Sequence, residues 1–117
     1  MGRMKTGRME STSRVVFNEF GLSSFLKLPK AVQKQALKKI YEVVGASPES
    51  AGYPLKRELS GFRGIHTNRY RIVWRALTLA SGEVIADISY VGIRKEGNKR
   101  QDIYAEAQKM LTWLRWP

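Results

Sequence analysis

The residues that most constrain the fold of this chain run from Arg69 to Ala76 and read RYRIVWRA. The run is rich in β-branched and aromatic residues and alternates with a period of two, which predicts a β-strand. Successive side chains of a strand point to opposite faces of its sheet. One face of this strand therefore carries Tyr70, Ile72, Trp74 and Ala76. The other face carries Arg69, Arg71, Val73 and Arg75.

The first face is typical of a surface that packs against a hydrophobic core. The second face places three guanidinium groups in a row, and like charges at this spacing repel one another unless an anion lies between them. A central strand of this kind indicates a protein that holds a polyanion. The alternative is an ordinary solvent-exposed face of an antiparallel sheet.

The charge balance of the whole chain favours a polyanionic partner. The chain has 117 residues, a usual size for one domain, with 21 Lys and Arg against 10 Asp and Glu and a net charge of +11. Such an excess suits nucleic acid, an anionic membrane or an acidic protein. Basic residues are concentrated in two stretches, 54–75 and 94–100. Arginine dominates the first, and its planar fork suits bidentate contacts with phosphate.

Several classes of protein are excluded by composition. The chain has no cysteine and a single histidine, so it has neither a disulfide framework nor a cysteine–histidine metal cluster. We expect neither a metal nor another cofactor. No apolar run approaches the roughly 18 residues of a membrane span. Residues 1–13 are polar and basic without an apolar segment, which is unlike a secretory signal, so a cytoplasmic location is expected.

The first half of the chain predicts a flexible arm, a strand and two helices. Residues 1–13 lack periodicity and form the arm, and residues 14–117 form one domain. Residues 14–20 predict the first strand, which residues 21–24 would end. A short helical segment at residues 25–28 would then take Ser23 or Ser24 as its N-cap. Pro29 suits the first turn of a second helix. The apolar stripe of that helix comprises Val32, Ala36, Ile40, Val43 and Val44.

The second half predicts a loop, three strands and a last helix. Residues 45–54 form the loop, residues 62–66 and 69–76 form a hairpin, and residues 83–91 form the fourth strand. A basic loop follows at residues 92–100, and Asp102 is a suitable N-cap for the last helix. The predicted fold is α+β, with two N-terminal helices packed on the Tyr70 face of a four-stranded, mainly antiparallel sheet.

The hairpin is predicted to build the basic site. A hairpin loop of two residues and one of four residues put each side chain on the same side of the sheet. Either length therefore brings His66 and Gly64 onto the face of Arg69 and Arg71. We expect His66 to pair with Arg69 and Gly64 with Arg71. Gly64 would then leave open space over Arg71, as a phosphate pocket requires.

Four segments together resemble a known family. They are Leu59-Ser60-Gly61, Tyr70-Arg71-Ile72-Val73-Trp74, Val91-Gly92-Ile93-Arg94-Lys95 and Tyr104. In this order of strands and helices the chain resembles the RelE/ParE superfamily of toxins from bacterial type II toxin–antitoxin systems. The likeness runs from about Arg14 to about Leu111, and the second and third segments are its most specific features.

The resemblance implies one of two activities. RelE-like members are small ribonucleases that enter the ribosomal A site and cut mRNA there, whereas ParE-like members poison DNA gyrase. Fold alone does not decide between them. We expect a ribosome-dependent, metal-independent endoribonuclease whose partners are the ribosome, mRNA and a cognate acidic antitoxin. The alternatives are a ParE-like gyrase inhibitor and a nucleic-acid-binding module without catalysis.

The resemblance also assigns catalytic residues. Arg71 matches the arginine that holds the scissile phosphate, and Arg94 matches the arginine that stabilises the transition state. Tyr104 matches a C-terminal tyrosine that stacks on a base or acts as an acid, although its ten-residue distance from Arg94 exceeds the family pattern.

The general base is the point at which the sequence departs most from the family. RelE places lysines on the second strand, where this chain has Arg63 and His66. We assign the role to His66, because histidine titrates at about pH 6.5 and suits proton transfer. Lys56 and Glu58 are the other candidates. The remaining predicted RNA-binding residues are Lys56, Arg57, Arg63, Arg69, Arg75, Lys95, Lys99 and Arg100.

Overall fold

The computed structural model describes residues 14–67 and 69–93. Its strands are β1 (Val15–Phe17), β2 (Tyr53–Pro54), β3 (Arg63–His66), β4 (Tyr70–Thr78) and β5 (Val84–Ile93). Its helices are α1 (Glu19–Leu26) and α2 (Lys30–Lys39), which continues into a π-helical turn at Ile40–Val44. The predicted arm, most of the predicted basic loop and the predicted last helix lie outside the described residues. No helix in the described ranges is long and apolar enough to cross a membrane.

The strands form one mixed sheet in the order β1-β5-β4-β3-β2. β1 runs parallel to β5, and the other pairs are antiparallel. The α+β class is confirmed, but the prediction of four strands was wrong. Tyr53 and Pro54 add a fifth strand by pairing with Gly64 and Arg63. A two-residue strand shows no periodicity in a sequence, and a proline is tolerated here because β2 lies at the sheet edge.

The predicted break before the first helix was also wrong. α1 begins at Glu19, and its N-cap is Asn18, whose side-chain oxygen accepts a hydrogen bond from the Gly21 amide at 2.8 Å. Neither serine proposed as the cap fills that role, because both lie inside the helix. Gly21 does not end the helix either. A Cβ atom at this position would collide with the carbonyl oxygen of Ile88, so glycine permits the helix backbone to lie directly against β5.

α1 also supplies a hydrogen-bond acceptor to the edge of β5 beyond the end of β1. The last residue of β1, Phe17, pairs with Ile88. Further along β5, the Val91 amide donates to the hydroxyl oxygen of Ser24 at 3.0 Å, and that hydroxyl donates to the Gly21 carbonyl at 2.9 Å. A serine of the helix therefore takes the place of a strand partner, which leaves no exposed amide at this point of the sheet edge.

Both helices pack on the predicted core face. Trp74 and Ile72 are fully buried, and the indole of Trp74 donates to the carbonyl of Pro48 at 2.9 Å. The hydroxyl of Tyr70 donates to the Gln35 carbonyl at 3.3 Å, and burial raises the pKa of this phenol. The helices contribute buried side chains from Phe25, Leu28, Val32, Ala36, Ile40 and Val44.

A β-bulge in β5 changes which of its residues face the core. Val73 pairs with Tyr90, but the next residue of β4, Trp74, pairs with Ile88, so Ser89 is the extra residue. Beyond the bulge, each side chain of β5 points to the opposite side of the sheet from the one it would occupy in an unbroken ladder. Val91 consequently enters the core, and Tyr90 and Gly92 come to the same face as Arg71.

Replacing Trp74 with alanine should lower the free energy of unfolding by about 3–5 kcal/mol, because it leaves a large cavity in the core. Chemical denaturation followed by circular dichroism measures this loss. Leu26→Ala is the matched control, since the Leu26 side chain is 60% exposed and should change stability by less than about 0.5 kcal/mol. Equal effects of the two substitutions would contradict the assignment of the core.

Gly21→Ala should destabilise the protein, although alanine is favoured over glycine by about 1 kcal/mol in an exposed helix. The added methyl group must push α1 away from β5, and such overpacking typically costs about 1–3 kcal/mol. Denaturant unfolding of Gly21→Ala beside Ser23→Ala, an exposed position of the same helix, gives the comparison. A stabilised Gly21→Ala variant would show that the helix does not need to lie this close to the strand.

Candidate nucleic-acid interface

The β3–β4 hairpin places His66 on the face of Arg71, as predicted. Its loop has four residues, because His66 pairs with Arg71 and the Thr67 amide donates to the Tyr70 carbonyl at 2.8 Å. The individual pairs predicted for a two-residue loop were therefore wrong. His66 lies opposite Arg71 instead of Arg69, and Gly64 lies opposite Val73.

The predicted open space over Gly64 is occupied. A Cβ atom on Gly64 would lie 3.2 Å from a methyl carbon of Leu55 and 3.5 Å from the ring of Tyr53. These side chains come from β2 and the segment that follows it. Gly64 accordingly makes room for protein side chains, and the phosphate pocket predicted at this position is not formed there.

The centre of this face is a second, smaller hydrophobic core. Residues 55–62 cross over the sheet and bury Leu59 and Phe62 against Val73. The side chains of Phe20, Leu55 and Tyr90 pack around this cluster. The face opposite the helices is therefore divided, with an apolar centre covering Val73 and polar side chains on either side of it.

Arg75 has a partner within the protein. Its Nε atom lies 3.2 Å from Oδ2 of Asp87, which is buried. The Asn18 amide nitrogen also donates to Oδ2 of Asp87, at 3.4 Å, and to the Ser89 hydroxyl at 2.9 Å. The Arg75 guanidinium carbon lies 5.7 Å from the centre of the Phe62 ring. The charge of this arginine is thus largely neutralised inside the fold.

Arg63 lies on the opposite face of the sheet from His66 and Arg71, because it pairs with Trp74. Its guanidinium donates to the carbonyls of Ala51 at 2.7 Å, Ser50 at 3.3 Å and Gly52 at 3.3 Å. These bonds hold the loop that leads into β2. The structure therefore gives Arg63 a structural role, apart from the other basic residues predicted to bind RNA.

Arg71 differs from its two neighbours on the strand. It is only 5% exposed and lies between His66 of β3 and Gly92 of β5. His66 is exposed, and its ring meets the Tyr53 ring edge-on with 5.8 Å between centroids. On the other side, the hydroxyl of Tyr90 occupies the space that a side chain on Gly92 would need. Arg71 thus lies on the strand between a histidine of β3 and the glycine of β5 over which the Tyr90 phenol lies.

Three more of the predicted RNA-binding cations are exposed in the described residues. Lys56 and Arg57 are exposed beside the 3-10 turn at Arg57–Leu59, and Arg69 is exposed at the start of β4. Arg57 adopts a φ of 57°, which is uncommon for a residue other than glycine. The predicted residues Arg94, Lys95, Lys99, Arg100 and Tyr104 lie outside the described part of the chain, so their roles stay predictions. Arg94 directly follows the end of β5 in sequence.

Sequence reasoning missed two tyrosines of this site. Tyr53 lies in a segment interpreted as a loop, and Tyr90 would face the core if β5 had no bulge. The signal available in the sequence was the pair Tyr90 and Gly92, an aromatic residue two positions before a glycine on one strand. Among the described residues, no three histidine or acidic side chains come together as a metal site.

Comparison with known proteins identifies the fold. No family model and no curated protein matches this chain. The crystal structure of the toxin–antitoxin complex RelBE2 from Mycobacterium tuberculosis matches with a TM-score of 0.57 and 25% identity, covering 68% of this chain and 88% of that chain. The isolated RelE toxin of E. coli matches with a TM-score of 0.54 and 22% identity, covering 83% and 96%. The resemblance to RelE-like toxins is confirmed, and the fold is RelE-like.

Asp87→Ala should lower the free energy of unfolding by about 1–3 kcal/mol, because Asn18 and Arg75 then lose a hydrogen-bond acceptor in a buried position. Glu83→Ala is the control, since the Arg14–Glu83 pair is 3.8 Å long and exposed on both sides and should contribute less than about 1 kcal/mol. Thermal or denaturant unfolding measures both. A larger loss for Glu83→Ala than for Asp87→Ala would contradict this assignment.

Proposed function

We propose that this chain is the toxin of a toxin–antitoxin system and a ribosome-dependent endoribonuclease that cuts mRNA in the cytoplasm without a metal. The observation that carries the proposal is Arg71, a buried arginine on a RelE-like sheet whose strand partners are His66 and Gly92, with the Tyr90 hydroxyl lying over Gly92. An arginine beside a histidine on one sheet face supplies two of the groups that RNA cleavage needs, a cation and a base.

Metal-free RNA cleavage has three requirements. A base removes the proton of the 2′-OH, a cation stabilises the crowded phosphate, and an acid protonates the 5′ oxygen as its bond to phosphorus breaks. The products are a 2′,3′-cyclic phosphate and a free 5′-OH. In the proposal Arg71 holds the phosphate, His66 takes the proton of the 2′-OH, and Tyr104 supplies the proton to the leaving oxygen. Arg94 adds a second positive charge to the transition state.

The burial of Arg71 supports its role in the chemical step. An arginine with 5% exposure acts in a region from which water is largely excluded, where its attraction to the developing negative charge is stronger than at the surface. Its backbone is paired with neighbouring strands on both sides. Arginine also keeps its charge at every physiological pH.

His66 is the base that the geometry favours. It is the direct strand partner of Arg71, so the two side chains project from neighbouring positions of one face. It is also exposed, which leaves its ring accessible to a ribose. Lys56 and Glu58 lie on the segment that crosses the sheet and are the other candidates for the role.

The remaining basic residues form two groups, those exposed to solvent and those that bond to other groups of the protein. We propose that Lys56, Arg57 and Arg69, which are exposed, contact flanking phosphates of the RNA, as do Lys95, Lys99 and Arg100. Arg75 and Arg63 already make contacts inside the protein, so we expect them to contribute less to RNA affinity than the exposed cations.

An acidic antitoxin is the proposed partner in the cell. The RelBE2 structure is a toxin–antitoxin complex, and this chain carries a net charge of +11. An acidic segment that covers the Arg71 face would neutralise this charge and exclude RNA from the site.

The proposal is tested by translation in a cell-free extract, with primer extension on the message. We expect cuts in phase with codons that disappear when ribosomes are omitted. An intact message together with accumulation of gyrase-cleaved DNA would overturn the proposal in favour of a gyrase poison.

Arg71→Ala should slow single-turnover cleavage on ribosomes by about 10²–10³-fold, because a charge that acts on the transition state is lost. Arg71→Lys keeps the charge without the bidentate fork and should lose less. Lys34→Ala, an exposed position on α2, should cut at the parental rate. Parental activity in a folded Arg71→Ala variant would remove this residue from the mechanism.

A further inference from the structure

Tyr90 lies on the Arg71 face only because β5 contains a bulge. Asp87 pairs with Arg75 and Ile88 pairs with Trp74, so an unbroken ladder would place Tyr90 opposite Ile72 in the core. Ser89 is inserted instead, and Tyr90 pairs with Val73. Bulges are enriched beside functional sites, where they redirect a side chain.

The phenol of Tyr90 leans along its own strand toward Arg71. Its hydroxyl oxygen occupies the position in which a Cβ atom of Gly92 would lie, and Gly92 is the direct strand partner of Arg71. The ring centre lies 6.3 Å from that of Phe20, a residue of α1, and the two ring planes are inclined by 31°. The Tyr90 hydroxyl can lie here only because residue 92 is a glycine, since any larger residue would displace it from the strand position opposite Arg71.

We propose that Tyr90 is a phosphate-binding residue of this site, and that its hydroxyl donates a hydrogen bond to a non-bridging oxygen of the phosphate held by Arg71. The inference rests on the proposed function, which supplies RNA as the ligand. A phenol adds a hydrogen-bond donor beside the guanidinium without adding a positive charge that would repel it.

A purely structural role for Tyr90 makes a different prediction. The ring packs in the second hydrophobic cluster with Phe20, Phe62 and Val73. Phenylalanine would fill that space equally well, so packing alone predicts no functional change in Tyr90→Phe. Phosphate binding through the hydroxyl predicts slower cleavage or weaker RNA binding in a folded Tyr90→Phe variant.

The test compares the full chain with its Tyr90→Phe variant in two measurements. One is single-turnover cleavage of mRNA on ribosomes, and the other is affinity for a fully 2′-O-methylated RNA oligonucleotide, which lacks the attacking hydroxyl. We expect losses of about 10- to 100-fold in one or both, the range for a hydrogen bond to a charged group. Tyr41→Phe, an exposed tyrosine on the π-helical turn, is the control and should match the parent.

Gly92→Ala provides an independent check. The methyl group should displace the Tyr90 hydroxyl and reproduce the loss seen in Tyr90→Phe. Because both changes remove the same interaction, the double variant should lose little more than either single variant. Strict additivity of the two losses would contradict the proposed coupling.

The outcomes separate this inference from the proposed function. A parent that binds the methylated RNA without cutting mRNA overturns the nuclease, and weaker binding by Tyr90→Phe then still supports the phosphate site. A parent that cuts mRNA with Tyr90→Phe at the parental rate and affinity overturns the inference alone. A parent that neither cuts mRNA nor binds the oligonucleotide overturns both.

Discussion

The contact between the backbone of α1 and β5 is the constraint on which the rest of the structure depends. Gly21 lets the helix lie against the carbonyl of Ile88, and the Ser24 hydroxyl accepts a hydrogen bond from the Val91 amide. Between these two points β5 carries its bulge at Ser89, whose hydroxyl accepts a hydrogen bond from Asn18. The same short stretch of β5 therefore ends the pairing with β1 and packs against α1. It also contains the bulge, after which the side chains of β5 point to the opposite sides of the sheet. The positions of Tyr90 and Gly92 on the Arg71 face follow from that reversal.

The two arginines at positions 71 and 75 show how one strand face can hold charges of different function. Asp87 neutralises Arg75, and Phe62 covers its guanidinium. Arg71 lies beyond the apolar cover, where its strand partners are a histidine and a glycine. A row of arginines that looks uniform in the sequence is thus divided by a carboxylate on the next strand. We infer that Arg75 mainly stabilises the fold, and we propose Arg71 as the arginine of this strand that contacts the ligand.

The sequence predicted the features that depend on the periodicity of apolar residues and on the even number of residues in the hairpin loop. The alternation around Trp74 identified the core face, and an even-numbered hairpin loop placed His66 on the same face as Arg71 for either loop length. Features set by backbone contacts at a distance were not predictable. Gly21 resembled a helix breaker because its contact lies on a strand far away in sequence, and the extra residue at Ser89 leaves no composition signal. Tyr90 was consequently missed, since its facing depends on that one residue.

We propose that the anion-binding surface is the sheet face around Arg71 and not the lysine-rich surface of α2. Titration of the ¹⁵N-labelled full chain with a 2′-O-methylated RNA oligonucleotide, followed by ¹H–¹⁵N correlation spectra, distinguishes these two surfaces. We expect the largest chemical-shift changes at the amides of His66, Arg71 and Gly92, with little change at Lys30, Lys34 and Lys38. Shifts concentrated on the α2 lysines, with the amides around Arg71 unmoved, would contradict it.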